Sequence, residues 1–240
     1  MGSRLWFHYL FVKTLLKYRP QAIKDAYTDE LWVESSFEMV KNIEGCGGRM
    51  QLEGLHNITK VNEPMVIISN HMSTLETMIF PALIVPHKPL TFVVKESLIR
   101  NFVFGPIMRA RRPIIVGRKD PARDLMTVMS EGAQKLSDGH SVLIFPQSTR
   151  QFGFDPDNFN SLGIKLARKA GVPVLPVAIK TDFWGNSRFY KEFGPIERNR
   201  TIHVKFAEPI RIKDKGLQTH QQILEFIGSN VAAWEKLDPS

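Results

Sequence analysis

The chain has 240 residues, of which 43% are hydrophobic, and this size suits one large α/β domain with a buried core and is too small for two full domains. Its formal net charge of +8 favours an anionic partner, which can be a nucleic acid, a membrane surface or a phosphorylated substrate. The single cysteine, Cys46, excludes an intrachain disulfide, and no stretch reaches the roughly 18 to 20 apolar residues of a spanning helix, which excludes a multi-span membrane protein.

The N-terminal segment mixes apolar and basic residues. Between Arg4 and Arg19, apolar side chains go nearly all round the predicted helix, and Met1 to Lys24 contains no acidic residue. This pattern is typical of a helix in a membrane interface, with cations such as Lys13 and Lys17 near anionic headgroups. The alternative is a helix packed on the protein's own core. A second helix is predicted over Lys24 to Ile43, before a glycine-rich stretch.

The stretch from Met65 to Phe80 joins a strand to a helix. Met65 to Ile68 is predicted as a buried strand, and a periodic apolar segment typical of a helix follows almost at once. Ser73 and Glu76 have the spacing of a capping box, which by itself explains Glu76. If His71 lies before the helix and Glu76 in its first turn, the two side chains can also meet, as a catalytic base and its carboxylate do.

Strands and helices continue to alternate along the rest of the chain. Strands are predicted at Met50 to Leu55, Leu90 to Val94, Ile114 to Val116, Ser141 to Phe145 and Ile202 to Phe206. Helices are predicted at Asp120 to Leu136, Phe159 to Ala170 and His220 to Trp234. Phe104 to Ile107 is predicted as a turn. The apolar run Val172 to Ile179 contains two prolines that cannot donate ladder hydrogen bonds, which predicts a strand at a sheet edge or along a cavity.

Two basic regions are candidates for anion binding. Between Arg109 and Arg123 the chain carries six basic residues and one acid, and a solvated face normally mixes both signs. In the second region, Pro146 ends a strand, so the residues after it form a loop at the strand's carboxyl end, where open α/β sheets bind ligands. Arg150 in this loop suits a phosphate, because a guanidinium donates two parallel hydrogen bonds.

Four blocks in order, within about Leu52 to Glu208, resemble the glycerolipid acyltransferase family typified by 1-acylglycerol-3-phosphate acyltransferase. The blocks are Asn70-His71 with Glu76, Gly105 through Arg118, Phe145-Pro146-Gln147-Ser148-Thr149-Arg150, and Val172 to Val177. The chain departs from the usual family residues at three positions, with Glu76 in place of Asp, Gln147 in place of Glu and Ser148 in place of Gly.

The resemblance implies a fold and a division of the chain. It implies an α/β fold with a single mixed, largely parallel sheet flanked by helices. We expect residues 1–48 to form a two-helix, membrane-associating appendage and residues 49–240 to form the acyltransferase domain. The expected location is the cytoplasmic face of a membrane, with peripheral or monotopic attachment.

The resemblance also implies a reaction, in which a fatty acyl group passes from acyl-CoA or acyl carrier protein to the free hydroxyl of a lysophospholipid. The expected acceptor is 1-acyl-sn-glycerol-3-phosphate, which gives phosphatidic acid. His71 is expected to act as the base and Glu76 to orient it. No metal or bound cofactor is expected. The expected substrate-binding residues are Lys95, Arg118, Gln147, Ser148, Thr149 and Arg150.

Other functions remain open at this stage. A non-catalytic basic module that binds lipid surfaces would explain the charge and the N-terminus, and so would an acyltransferase with a different lyso-lipid acceptor. Nucleic acid is not an expected partner, because no recognition motif is present. The chain lacks the Gly-x-Ser-x-Gly motif of serine hydrolases and the His-Glu-x-x-His motif of metalloproteases.

Overall fold

The computed structural model describes residues 4–147, 149–187, 193–213 and 215–238. Within these ranges the strands are β1 Met50–Glu53, β2 Val66–Ser69, β3 Leu90–Lys95, β4 Ile114–Val116, β5 Ser141–Ile144, β6 Val174–Lys180 and β7 Ile202–Phe206. The α-helices are α1 Arg4–Ile23, α2 Asp29–Gly45, α3 Leu75–Ile84, α4 Glu96–Ile99, α5 Gly105–Ala110, α6 Pro121–Ser137, α7 Leu162–Ala170 and α8 Leu217–Glu235. Short 3-10 helices lie at Leu55–Thr59 and Pro156–Asn158.

The strands form one seven-stranded sheet in the order β1-β7-β6-β2-β5-β3-β4. Every neighbouring pair is parallel except β6 and β7, which are antiparallel. The expected α/β fold, with a mixed, largely parallel sheet and two N-terminal helices, is therefore confirmed.

Helices cover both faces of the sheet, and the strands are apolar on both sides for that reason. Ile67 of β2 points into a core shared with α1, α2 and α3. Its neighbours Val66 and Ile68 point into a second core on the opposite face, shared with α6, α7 and α8. Alternate residues of one strand thus serve two cores, which explains the unbroken apolar run in the sequence.

Helix α1 has two apolar sides with different surroundings. One side is buried, with Phe7, Phe11 and Leu15 in the same core as the sheet. The other side is exposed over an arc of about 100° on a helix with 3.6 residues per turn; it carries Leu5, Trp6, Tyr9, Lys13, Leu16 and Ile23. One side of α1 therefore packs on the protein's own core, which was the alternative to a membrane-interface helix. The second side remains exposed.

Two sequence predictions about prolines are wrong. Strand β6 lies inside the sheet, between β2 and β7, not at an edge, and none of its residues lines the cavity described below. Pro173 precedes the strand, and Pro176 lies where the pairing with the β7 segment shifts by one residue, between the pairs Val177–Phe206 and Val174–Ile210. The predicted turn at Phe104 to Ile107 is the start of α5, because Pro106 is tolerated in a first helical turn, where no N–H is needed.

Candidate active site

The predicted site residues meet at one edge of the sheet. Strands β2, β5, β3 and β4 are neighbours and parallel, so their carboxyl ends lie side by side. His71 follows β2, Lys95 ends β3, Arg118 follows β4 and Arg150 follows β5. All four line a single cavity of about 1020 Å³, together with Gln147 and Thr149. Ser148 lies outside the described residues.

His71 is held by contacts to its backbone and to its ring. Asn70 fixes the preceding residue, because its side-chain amide pairs with both backbone groups of Ile179 at 2.9 Å. The N–H of His71 donates to Gln147 Oε1 at 2.7 Å. The ring stacks on Phe145, with centroids 4.2 Å apart. These contacts leave the imidazole little rotational freedom.

Glu76 lies beneath His71 and is completely buried. Its Oε1 accepts from His71 Nδ1 at 2.7 Å and from the N–H of Met72 at 2.7 Å. Burial, the largest influence, raises the pKa of Glu76, but the hydrogen bond and charge of His71 and the hydroxyl of Thr181 outweigh it, so that the pKa lies below its ordinary value. An ionised carboxylate only accepts, so Nδ1 of His71 must carry the proton.

The capping interpretation of Glu76 is realised, and the contact with His71 that its catalytic interpretation requires is also present. The N–H of Ser73 donates to both oxygens of Glu76, at 2.9 and 3.1 Å, as in a capping box. The hydroxyl of Ser73 accepts from the N–H of Leu75 at 3.1 Å. The same carboxylate that organises the first turn of α3 therefore also orients His71.

Thr181 is a part of the site that the sequence analysis did not identify. It directly follows β6, the other neighbour of β2, and is fully buried. Its hydroxyl donates to Glu76 Oε2 at 2.7 Å. The signal was present in the fourth block, because that block lies in a strand. The residues after a strand that runs parallel to β2 lie at the same carboxyl edge as His71.

The mouth of the cavity is cationic. Arg118 and Arg150 are close enough for like charge to act between them: the pKa of Arg118 is lowered, chiefly by partial burial and also by Arg150. Arg118 has a left-handed backbone with φ of 59°. Asp124 holds this conformation by accepting from the N–H groups of Gly117 and Arg118, at 2.9 and 2.7 Å. Lys165 of α7 also lines the cavity, although it was not predicted as a site residue.

Only part of the basic region between Arg109 and Arg123 lies at this mouth. Arg109 donates to the carbonyl of Ile99, and Arg111 forms an ion pair with Asp29. These contacts hold other segments of the chain together, although Arg111 also lines the cavity away from its mouth, where its guanidinium lies over the ring of Trp32. We therefore keep the prediction of anion binding only for the end of this region that contains Arg118.

The opposite end of the cavity lies between the N-terminal helices and the sheet, and most of its wall is apolar. Its wall there includes Leu15 and Tyr18 of α1, Trp32 and Met39 of α2, Phe92 of β3, and Ile107 and Met108 of α5. This division of the wall suits a ligand with a negative group at one end and a long apolar group at the other. Among the described residues, no group of three or more His, Cys, Asp or Glu side chains is placed to hold a metal ion.

Comparison with known proteins agrees with this geometry. The model of the family described as "Acyltransferase" matches residues 49–180. The chain belongs to this family. It is an O-acyltransferase, and the resemblance seen in the sequence is confirmed.

Two relatives and one solved structure show the extent of the similarity. A 1-acyl-sn-glycerol-3-phosphate acyltransferase of Pseudomonas aeruginosa is 30% identical over 78% of this chain and 69% of the relative. A protein of the same name from Borreliella burgdorferi is 28% identical over 56% of this chain, which covers about half (52%) of the relative's length. The crystal structure of PlsC, the 1-acyl-sn-glycerophosphate (LPA) acyltransferase from Thermotoga maritima, shares the fold, with a TM-score of 0.69, 19% identity and coverage of 97% of this chain and 94% of that one.

Two departures of this acyltransferase from the usual family residues fit its structure. Glu76 reaches His71 in spite of its extra methylene, because its carboxylate lies in a nest of donors that accommodates the longer side chain. Gln147 is buried, and its amide both accepts from His71 N–H and donates to Gln151 Oε1 at 3.3 Å. Gln147 thus holds the backbone of His71, and because it also lines the cavity, the substrate contact expected from the sequence stays a prediction.

Proposed function

We propose that the chain is a membrane-associated acyltransferase that moves a fatty acyl group from a thioester to the free hydroxyl of 1-acyl-sn-glycerol-3-phosphate, which yields phosphatidic acid. The observation that carries this proposal is the pair formed by His71 and Glu76, 2.7 Å apart, at a cavity with a cationic mouth and an apolar interior. The acceptor has a phosphate and the acyl groups are apolar, so the two ends of the cavity match the two substrates.

The proposed mechanism uses His71 as a general base. Glu76 holds the proton on Nδ1, which leaves Nε2 to accept the proton of the acceptor hydroxyl as that oxygen attacks the thioester carbonyl. The charge of Glu76 stabilises the imidazolium that forms. When the carbon–sulfur bond breaks, the imidazolium returns the proton to the departing thiolate. The acyl group passes directly to the acceptor, so no covalent acyl-enzyme forms.

The cations at the mouth are proposed to bind the phosphate of the acceptor. Arg118 and Arg150 supply guanidinium groups that donate in parallel pairs, and Lys95 and Lys165 add charge at the same rim. Thr149 contributes a hydroxyl. A lyso-lipid without the phosphate would offer no acceptor for these paired hydrogen bonds, which favours the phosphorylated acceptor.

Membrane association is proposed through the exposed side of α1. Leu5 is 79% exposed and Trp6 and Leu16 about half exposed, and they lie on the same side as Lys13. Phe102 is 78% exposed and lies against Arg19 near the end of this helix. Such a surface fits an interface between acyl chains and headgroups. Among the described residues, none of the helices is long and apolar enough to cross a bilayer.

The proposal is tested by measuring acyl transfer with a panel of substrates. The donors are palmitoyl-CoA and palmitoyl-acyl carrier protein, and the acceptors are 1-oleoyl-sn-glycerol-3-phosphate, lysophosphatidylcholine and monoolein. We expect turnover with the phosphate monoester, weaker turnover with the other two acceptors, and none in the variant His71→Ala. Full turnover by His71→Ala would refute the mechanism. Equal turnover of monoolein would refute the proposed role of the cationic mouth, and no turnover with any pair would favour a non-catalytic lipid-surface module.

A further inference from the structure

Asp124 is the only acidic residue among the described residues that line the cavity. It lies in the first turn of α6, beside Arg118 at the cationic mouth. A carboxylate in this place repels a phosphate and so opposes the binding that Arg118 and Arg150 are proposed to provide. The presence of Asp124 in the wall therefore indicates a role that its charge toward the ligand does not explain.

The carboxylate of Asp124 is engaged by the backbone that follows β4. Its Oδ1 accepts from the N–H of Gly117 at 2.9 Å, and its Oδ2 accepts from the N–H of Arg118 at 2.7 Å. Consecutive N–H groups converge on one anion where the chain turns sharply. Asp124 therefore stabilises the turn that carries Arg118 out of β4.

This turn places Arg118 in a conformation that arginine seldom adopts. Its φ of 59° lies in the left-handed region, which glycine occupies without strain and other residues avoid. Within the described part of the chain, Asp25 and Arg112 are the other non-glycine residues with a positive φ, and neither lines the cavity. Strained residues persist where their surroundings hold them, and they cluster at functional sites. An arginine at this position instead of a glycine indicates that its side chain is needed at the mouth.

The backbone conformation of Arg118 also sets the direction of its side chain. Gly117 alone separates Arg118 from the end of β4, and α6 begins three residues later, at Pro121, so fixed elements hold the turn at both ends. A rotation of φ between the left-handed and the extended region turns the Cα–Cβ bond toward a different side of the chain. Without the contacts to Asp124, Arg118 could relax to a negative φ and move its guanidinium, while its charge stayed intact.

We propose that Asp124 is a positioning residue for the acceptor: it holds the left-handed backbone of Arg118 and so keeps the guanidinium directed at the phosphate. The benefit of a well-placed guanidinium then exceeds the repulsion between the phosphate and Asp124. In this role Asp124 acts through Arg118 and makes no contact with the acceptor. This inference rests on the proposed function, because it requires that Arg118 bind the acceptor phosphate.

The test applies the same substitution at two matched positions. Asp124→Asn keeps the size of the side chain and one carbonyl oxygen, but it removes the charge and one of the two acceptors. Asp120→Asn is the control, because Asp120 lies at the same end of α6, also accepts from two N–H groups, those of Ala122 and Arg123, and does not line the cavity. Arg118→Ala and the double variant Arg118→Ala/Asp124→Asn show whether Asp124 acts through Arg118.

Binding is measured apart from turnover. Isothermal titration calorimetry gives Kd for 1-octanoyl-sn-glycerol-3-phosphate, a short-chain acceptor. Acyl transfer to 1-oleoyl-sn-glycerol-3-phosphate gives KM and kcat, and transfer to monoolein shows any effect that does not involve the phosphate. Thermal unfolding shows that each variant is folded at the assay temperature.

We expect Asp124→Asn to raise Kd and KM for the phosphorylated acceptors by about tenfold, as the loss of a hydrogen bond to a charged group does. Repulsion alone predicts the opposite sign, because removal of a negative charge near the phosphate would tighten binding. The value of kcat should stay within about twofold, since the phosphate is held equally before and during the reaction. Asp120→Asn should change Kd by less than about twofold, because Asp120 is exposed to solvent. In the Arg118→Ala protein, Asp124→Asn should not weaken binding further.

Three results would overturn the inference. In the first, Asp124→Asn leaves Kd unchanged or lowers it, so the charge of Asp124 matters more than the position of Arg118. In the second, Asp124→Asn and Asp120→Asn raise Kd equally, so the effect belongs to the start of α6. In the third, Asp124→Asn still raises Kd in the Arg118→Ala protein, so Asp124 does not act through Arg118.

Arg118→Ala by itself separates this failure from that of the proposed function. If Arg118→Ala raises Kd and Asp124→Asn does not, only the role of Asp124 is wrong. If Arg118→Ala leaves Kd unchanged, the proposed phosphate site is wrong, and the inference about Asp124 is wrong with it.

Discussion

Replacement of Glu76 by Gln tests the proposed catalytic pair most directly. The Glu76 carboxylate accepts from His71 Nδ1 and from the N–H of Met72 through Oε1, and these donors cannot accept in return. Its Oε2 accepts from the hydroxyls of Ser73 and Thr181, which can rotate and accept instead. It also accepts from the N–H of Ser73 at 3.1 Å, but this N–H bonds Oε1 as well, at 2.9 Å, and can keep that bond. A glutamine can therefore place its carbonyl oxygen toward His71 and its amide toward the hydroxyls. The variant keeps the geometry of the site and removes the negative charge.

The loss of the negative charge of Glu76 determines how far kcat should fall. Two unit charges about 4 Å apart attract by roughly 4 kcal/mol at an effective dielectric constant near 20. Each 1.36 kcal/mol corresponds to about a factor of ten in rate. Because the amide keeps a dipole directed at His71, we expect Glu76→Gln to lower kcat by about 10²- to 10³-fold, with little change in KM.

The assay is steady-state acyl transfer combined with thermal unfolding. Thr181→Val is the matched control, because it removes a hydrogen bond to Glu76 Oε2 and leaves the charge; we expect a loss of only a few-fold in kcat. Glu76→Asp restores the usual family residue but shortens the side chain by one methylene. In this backbone we expect it to lose the contact with His71 and to be slower than the wild type. If Glu76→Gln keeps kcat within about threefold, Glu76 serves only as a helix cap and the pair is not catalytic.

Three further predictions follow from the contacts described above. The pKa of Glu76 lies below its ordinary value of 4.5, so the ionised carboxylate stabilises the folded state above that pH, and this stabilisation is lost as the pH falls. Urea unfolding should therefore show that the difference in unfolding free energy between the wild type and Glu76→Gln shrinks below about pH 4.5. A difference that stays constant with pH would contradict this prediction. Arg150→Lys should raise KM for 1-oleoyl-sn-glycerol-3-phosphate by about tenfold without affecting monoolein turnover, because lysine cannot donate the paired hydrogen bonds. An equal loss of turnover with both acceptors in the same assay would mean that Arg150 does not bind the phosphate. Lys13→Gln should weaken co-sedimentation with anionic vesicles by a few-fold, as expected for about 1 kcal/mol per surface cation. Lys17→Gln should weaken it less, because Lys17 already pairs with Glu38 of α2. Similar losses in both variants would mean that α1 does not present Lys13 to the lipid.

Local patterns in the sequence were sufficient for the elements that bear the site. The apolar run before Asn70 predicted a strand, and the spacing of Ser73 and Glu76 predicted a helix start, because both depend on residues within a few positions of each other. The same local geometry predicted that His71 could meet Glu76. The resemblance to the family implied that His71, Arg118 and Arg150 share one site. The structure explains this grouping, because each of them follows one of the parallel strands, whose carboxyl ends lie at one edge of the sheet.

Only the tertiary structure decided which distant residues complete the site. Thr181 binds Glu76 across 105 residues, and Gln147 holds the N–H of His71 across 76. Both contacts exist because β6 and β5 lie on either side of β2, and a strand's own sequence does not specify its neighbours. The sequence by itself determined which residue types stand at the ends of the strands and therefore the chemistry that is possible there. The strand order determined which of them share a buried space, and burial favours hydrogen bonds between the polar groups that meet there.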